Sequence, residues 1–147
     1  MDIDNLFSSE RINFNLISAN KNEIIEELIH MIYLDGKITN EEEFKKEVFK
    51  REQEFSTGIG MGIAVPHAKS KYVKGACIAF GKSINGVEFG SIDNLPAHYI
   101  FLIAVPIESS EIHLKALSQI TRKLMHEEIR NKLIKVNNYD EFIEVLK

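Results

Sequence analysis

The stretch Ser56-Thr57-Gly58-Ile59-Gly60-Met61-Gly62-Ile63-Ala64-Val65-Pro66-His67 delivers one histidine at the end of a glycine-rich, then apolar, then proline-stopped segment. Glycines at 58, 60 and 62 permit positive φ and close backbone approach, Ile63-Ala64-Val65 reads as a short buried strand, and Pro66 has no N–H to give a sheet. His67 is therefore expected at a strand's end, facing a cleft. A histidine so placed suits the presentation of one ring nitrogen to a bulky anion, with backbone N–H groups of the glycine loop as further donors.

Outward from this stretch, helical and strand patterns alternate. Residues 22–35 carry Ile24, Ile25, Leu28, Ile29, Met31 and Ile32 at helical spacing and stop at Gly36. Thr39-Asn40 reads as the cap of a second helix, with Thr39 and Glu42 as a capping box and Phe44 and Val48 on one face. Segments 62–66, 76–81 and 98–105 are rich in Ile, Val, Ala and Phe and read as strands buried on both faces. Ser109-Ser110 is placed to cap a helix over 111–126, whose inward stripe is Ile112, Ala116, Leu117, Ile120 and Leu124; 127–135 and 139–146 read as shorter helices, the last opened by Asn138. With no linker, repeat or low-complexity segment, the chain reads as one domain over 1–147. The fold class is α/β: an α/β sandwich with a mixed sheet flanked by helices.

Composition narrows the chemistry. A chain of 147 residues, 44% of them hydrophobic, is large enough for one proper core. The net charge of −4 argues against general nucleic-acid binding. The single cysteine, Cys77, excludes an intramolecular disulfide and a cysteine-rich metal site, and its setting in Ala76-Cys77-Ile78-Ala79-Phe80 reads as a small buried side chain. Met1-Asp2-Ile3-Asp4-Asn5 lacks the basic and apolar regions of a signal peptide, and no apolar run approaches the ~20 residues of a membrane span, so membrane contact is expected through a partner. Gly58-x-Gly60-x-Gly62 lacks dinucleotide-loop spacing and no phosphate-binding G-x-x-x-x-G-K-[ST] occurs, which leaves a nucleotide phosphoryl donor unsupported. No cofactor or metal is expected, since no two histidines share a helix face at i, i+4. His30, His98 and His126 read as structural or exposed.

The quoted stretch resembles the active-site signature of the IIA domains of the sugar phosphotransferase system, fructose/mannitol class. Arg51-Glu52, the run from His98 to Pro106, His113-Leu114-Lys115-Ala116-Leu117 and Arg122-Lys123-Leu124-Met125 follow in that family's order, and Gly86-Val87-Glu88-Phe89 is most similar to the fructose-type group. The resemblance covers essentially the whole chain. It implies the mannitol/fructose-type IIA fold and a cytoplasmic phosphotransferase, in which His67 takes a phosphoryl group from the phosphocarrier HPr. It passes that group to a IIB component, which phosphorylates the sugar during uptake through the membrane IIC permease.

The supporting residues carry paired readings. His113 lies in the first turn of its helix, where the dipole disfavours an extra proton; a solvent-facing histidine is one reading, and N–H donation to a phosphoryl oxygen is the role the resemblance implies. Arg51 ends a charged helix and is by default solvated, whereas the resemblance implies an arginine beside the phosphohistidine, where a guanidinium fork suits phosphate. Ser56 and Thr57 are anion donors or loop caps, and Lys69 and Lys71 are solvated or steer a partner. Ile59 and Met61 are expected to be exposed near His67 as docking anchors. Two positions depart from the family pattern. Met61 stands where asparagine or glutamate is common, and Ala68 where glycine often follows the histidine, at a cost on the order of 1 kcal/mol if that backbone needs φ > 0. The alternative function is a regulatory, nitrogen-type IIA module whose phosphorylation state controls a protein partner.

Overall fold

The computed structural model describes residues 5–108 and 111–147, and of 111–114 and 116 the backbone alone. In chain order its elements are β1 (Ile12–Asn13), α1 (Lys21–Leu34), α2 (Glu41–Glu54), β2 (Gly58–Gly60), β3 (Ile63–Ala64), β4 (His67–Ser70), β5 (Cys77–Val87), β6 (Ala97–Pro106), α3 (Glu111–Leu124), α4 (Glu127–Lys135) and α5 (Tyr139–Leu146). The sheet order is β1-β5-β6-β3-β2, with β4 also on β6. β1 runs parallel to β5, β3 and β4 parallel to β6, and the β5–β6 and β2–β3 pairs are antiparallel, so the sheet is mixed as expected.

Alternation along the two long central strands builds the layers. Cys77 and Ala79 of β5 and Ile100, Leu102 and Ala104 of β6 share one core with Ile25, Leu28 and Ile32 of α1 and Phe44 and Val48 of α2. Ile78, Phe80 and Phe101 face the other way, into a core with Ile120 and Leu124 of α3, Leu133 of α4 and Phe142 of α5. There the Phe80 ring centroid lies 4.8 Å from that of Phe101 and 4.6 Å from that of Phe142. Small side chains let α1 and α2 pack close to one face, and aromatic rings fill the gap to the other helices.

Asparagines open three of the helices. Asn20, Asn40 and Asn138 accept the backbone N–H of Glu23, Glu43 and Glu141 at 2.9, 3.1 and 2.9 Å. The capping box expected from Thr39 and Glu42 does not form: Thr39 gives both its N–H and its hydroxyl to the Tyr72 carbonyl, and Glu42 pairs with Lys45. The helix expected to reach 126 ends at Leu124, because His126 adopts extended backbone to start α4. The Ser109-Ser110 cap lies outside the described residues.

The segment bearing His67 lies beside β6, with β2 outside it at β3 and an open edge at β4. Ile63↔Tyr99, Ala64↔Ile100 and His67↔Ile103 keep one register, so 63–70 runs as a single line interrupted at Pro66, which has no N–H for the ladder. Its carbonyl still accepts the Ile103 N–H at 2.9 Å. At the far end of this line Gly60, Met61 and Gly62 take φ of 90°, 59° and 81° in succession. Asp93 clamps the turn, its carboxylate accepting the Met61 N–H at 2.8 Å and the Leu95 N–H at 3.1 Å. These bonds, that from Met61 foremost, hold the Asp93 carboxyl below the usual range.

Met61 thus occupies left-handed backbone without the local hydrogen bonding that lets asparagine tolerate it. Met61→Asn is expected to raise unfolding free energy by roughly 0.5–1 kcal/mol. Urea denaturation reads this, and an unchanged or lower midpoint would show that the turn carries no such strain.

Candidate functional site

His67 opens β4 and is half-buried. Its Nδ1 lies 2.9 Å from the Val65 carbonyl. A carbonyl oxygen has no proton to give, so Nδ1 is the donor, and in the neutral ring Nε2 keeps its lone pair. Val65 turns both of its polar backbone groups away from β6, since its N–H reaches the Thr57 carbonyl at 3.1 Å while its carbonyl takes the imidazole. The expected strand-end position of His67 is a strand start, and the proline interruption is what lets the ring fold back onto residue 65.

The ring lines an open groove of about 650 Å³ between the sheet edge and α3. Val65, Ile103, Val105, Leu117 and Met125 make its apolar walls, and Lys69, Ser118, Thr121 and Arg122 its polar rim. Thr121 spends its hydroxyl proton on the Leu117 carbonyl at 3.1 Å. Among the described residues, the Lys69 ammonium and Arg122 guanidinium have no hydrogen-bond or ion-pair partner. The groove therefore joins an available imidazole nitrogen, two cations without a partner among the described residues and an apolar surface, a set suited to a dianionic group carried by a larger partner.

Several expected contributors lie elsewhere. The glycine turn sits four to five residues along β6 from His67, because the Gly62 carbonyl accepts from His98 and Tyr99 whereas His67 pairs with Ile103. At ~3.3 Å per residue this is about 15 Å, too far for its N–H groups to touch an anion on the imidazole. Met61, exposed on that turn, is equally remote, and Ile59 is half-buried against the aromatic core. The exposed apolar side chain at the groove is Met125, whose signal in the sequence was the helical stripe Leu117, Ser118, Thr121, Arg122, Met125. The Ser56 hydroxyl donates to the Phe89 carbonyl at 2.5 Å and that of Thr57 to Glu52, so both are loop caps.

Arg51 stands near the end of α2, beside Ala68 and Lys69 in a separate shallow depression. Its guanidinium donates to the Phe55 carbonyl at 3.0 Å and lies 4.3 Å from the centroid of the Phe55 ring, with no hydrogen bond to His67. His113 falls one helical turn before Leu117 in α3, and its side chain is outside the described residues. His98 Nδ1 binds the Ser83 carbonyl at 2.9 Å and His30 pairs with Glu41 at 2.8 Å, which agrees with structural roles. Lys71 lies over the Tyr72 ring, outside the groove. Cys77 is buried, and burial pushes its thiol up to about 11. Among the described residues no group of three or more His, Cys, Asp or Glu is arranged to hold a metal, and no helix is long and apolar enough to cross a membrane.

The family model for the phosphoenolpyruvate-dependent sugar phosphotransferase system, EIIA 2, matches residues 5–147. The chain belongs to this family. It is 38% identical over 146 residues to the fructose-specific EIIABC component of Bacillus subtilis, covering 99% of this chain but 23% of that protein. It is 34% identical over 145 residues to the fructose-specific EIIA component of Haloferax volcanii, covering 99% and 94% of the two chains. Among solved structures, the nitrogen regulatory protein IIA-Ntr of Neisseria meningitidis superposes with a TM-score of 0.91 at 28% identity, covering 99% of each chain. The mannitol IIA of Escherichia coli, solved in complex with phosphorylated mannitol IIB, superposes at 0.80 with 25% identity, covering 95% of this chain and 96% of that one.

Within this IIA domain Ala68 needs no glycine. The described non-glycine residues with positive φ are Met61 and Asn94, and the Ala68 methyl is buried in the α1/α2 core. Ala68→Gly is expected to lower stability by roughly 1–2 kcal/mol, from the lost methyl and the freer unfolded backbone. Thermal unfolding checks this, and a stabilised variant would mean that alanine is strained there.

Proposed function

We propose that this IIA domain is the phosphohistidine carrier of a cytoplasmic sugar phosphotransferase system, accepting a phosphoryl group from phospho-HPr on His67 and passing it to a IIB component. The observation that carries the reading is the Nδ1–Val65 hydrogen bond of a histidine lining an apolar groove with Lys69 and Arg122 at its rim. The Nε2 lone pair attacks phosphorus in line, the nitrogen–phosphorus bond of the donor breaks, and its electron pair stays with the donor ring. No proton has to leave His67. Its Nδ1–H remains on the Val65 carbonyl, which stabilises the imidazolium character of the phosphorylated ring, and onward transfer reverses the same displacement.

Lys69 and Arg122 meet the phosphoryl charge from the groove rim. His113 donates to a phosphoryl oxygen from the N-terminal turn of α3, and Arg51 joins the set once its half-buried side chain leaves Phe55. Fructose is the proposed sugar, on the names of the relatives from Bacillus subtilis and Haloferax volcanii, with uptake through a membrane IIC partner. The complex of mannitol IIA with phosphorylated mannitol IIB supports a IIB partner for this fold. The regulatory reading is not favoured: the structural likeness to IIA-Ntr comes with 28% identity, below that of either fructose-specific relative.

Incubation with phosphoenolpyruvate, enzyme I and HPr is expected to add one phosphoryl group, acid-labile and on Nε2 of His67, and His67→Ala is expected to stay folded and take up none. Intact mass and phosphorus NMR read this. A folded His67→Ala protein that is phosphorylated like wild type, or an acid-stable product, contradicts the assignment.

A further inference from the structure

Glu52 is the one glutamate classed as buried among the described residues, with its side chain 4% exposed at the end of α2, and the transfer chemistry above does not use it. A charge this deep is costly unless its lone pairs are filled. Here they are. Both carboxylate oxygens accept the Thr57 N–H at 3.2 Å, Oε1 also accepts the Thr57 hydroxyl, and Oε2 is ion-paired with Lys21 at 2.8 Å.

From Thr57 the contacts continue to the imidazole without a gap. The Thr57 carbonyl accepts the Val65 N–H at 3.1 Å, and the Val65 carbonyl accepts His67 Nδ1–H at 2.9 Å. Each end of Thr57 is thus fixed, one to a carboxylate and the other to the residue that orients the ring. We infer that Glu52 is a positioning residue: through Thr57 and Val65 it sets the carbonyl that keeps the hydrogen of His67 on Nδ1 and Nε2 open. Without the carboxylate, the Thr57 N–H and hydroxyl are left buried and unpaired, and the β2 strand shifts to find water. Val65 then loses its fixed partner, and the ring is free to exchange tautomers.

The consequence for rate rests on His67 being the phosphoryl carrier, but the ring tautomer is read with no phosphoryl donor present, so the two claims fail separately. Glu52→Met keeps the volume and removes every acceptor, and Glu52→Gln restores one oxygen towards Thr57. In long-range proton–nitrogen NMR of the full chain, Glu52→Met is expected to show both His67 tautomers, and Glu52→Gln mainly the Nδ1–H form. With phospho-HPr, kcat of Glu52→Met is expected to fall on the order of tenfold with KM unchanged, as for loss of a partner that orients a reacting group. A folded Glu52→Met with the Nδ1–H tautomer alone overturns the inference, whatever its rate. If Glu52→Met does not fold, Thr57→Ala against Thr57→Ser decides: mixed tautomers in the alanine variant, restored by serine, support the inference, and a single tautomer in both overturns it.

Discussion

The hydrogen bond from His67 Nδ1 to the Val65 carbonyl is the constraint on which the chemistry of this domain depends. Its net worth is small, about 1 kcal/mol as for other intramolecular hydrogen bonds. Its consequence is categorical, because it decides which ring nitrogen has a lone pair to offer. Several unremarkable features of the chain converge on it. Pro66 interrupts the edge line so that the ring can return to residue 65, while the Ile103 N–H on the Pro66 carbonyl keeps the segment in register. The β2–β3 hairpin brings Thr57 beside Val65, and Thr57 in turn is held by a buried carboxylate.

The layers on either side of the sheet serve the same end. Ala68 and Ser70 of β4 point towards α2, where Ser70 donates to Glu47 at 3.1 Å, so alternation sends His67 and Lys69 to the opposite face. There α3 supplies the far wall of the groove. Its residues Leu124 and Ile120 are buried in the aromatic core, which fixes the face that presents Ser118, Thr121 and Arg122. The apolar walls and the rim cations Lys69 and Arg122 leave a surface that a protein partner can cover, drying the imidazole as it binds and strengthening each charge contact.

Much of this was legible in the residues. Period-3.6 apolar stripes gave α1 to within a residue, and the readings at 127–135 and 139–146 match α4 and α5, but α2 runs three residues past the Arg51 expected to end it; the runs at 76–81 and 98–105 gave the first half of β5 and nearly all of β6. What the pattern missed was of two kinds. Two- and three-residue strands such as β1 and β2 carry too few side chains for alternation to register, and pairing with β5 and β3 defines them. Register is the other kind: Gly60 to Gly62 are near His67 in sequence, yet a continuous edge line carries them to the opposite end of the sheet. Helical spacing in contrast held the signal for Arg122 and Met125, since 117, 118, 121, 122 and 125 share one stripe. Glu52 figured only beside Arg51 in the resemblance, and nothing marked it as buried, because a glutamate in a helix of charged residues looks solvated until the fold buries it.

The account is tested most directly by the tautomeric state of His67 in the unphosphorylated wild-type protein, read by long-range proton–nitrogen NMR of the neutral ring. The account predicts a pyrrole-like Nδ1 bearing the hydrogen and a pyridine-like Nε2. A hydrogen on Nε2, or rapid exchange between the two forms, would contradict it.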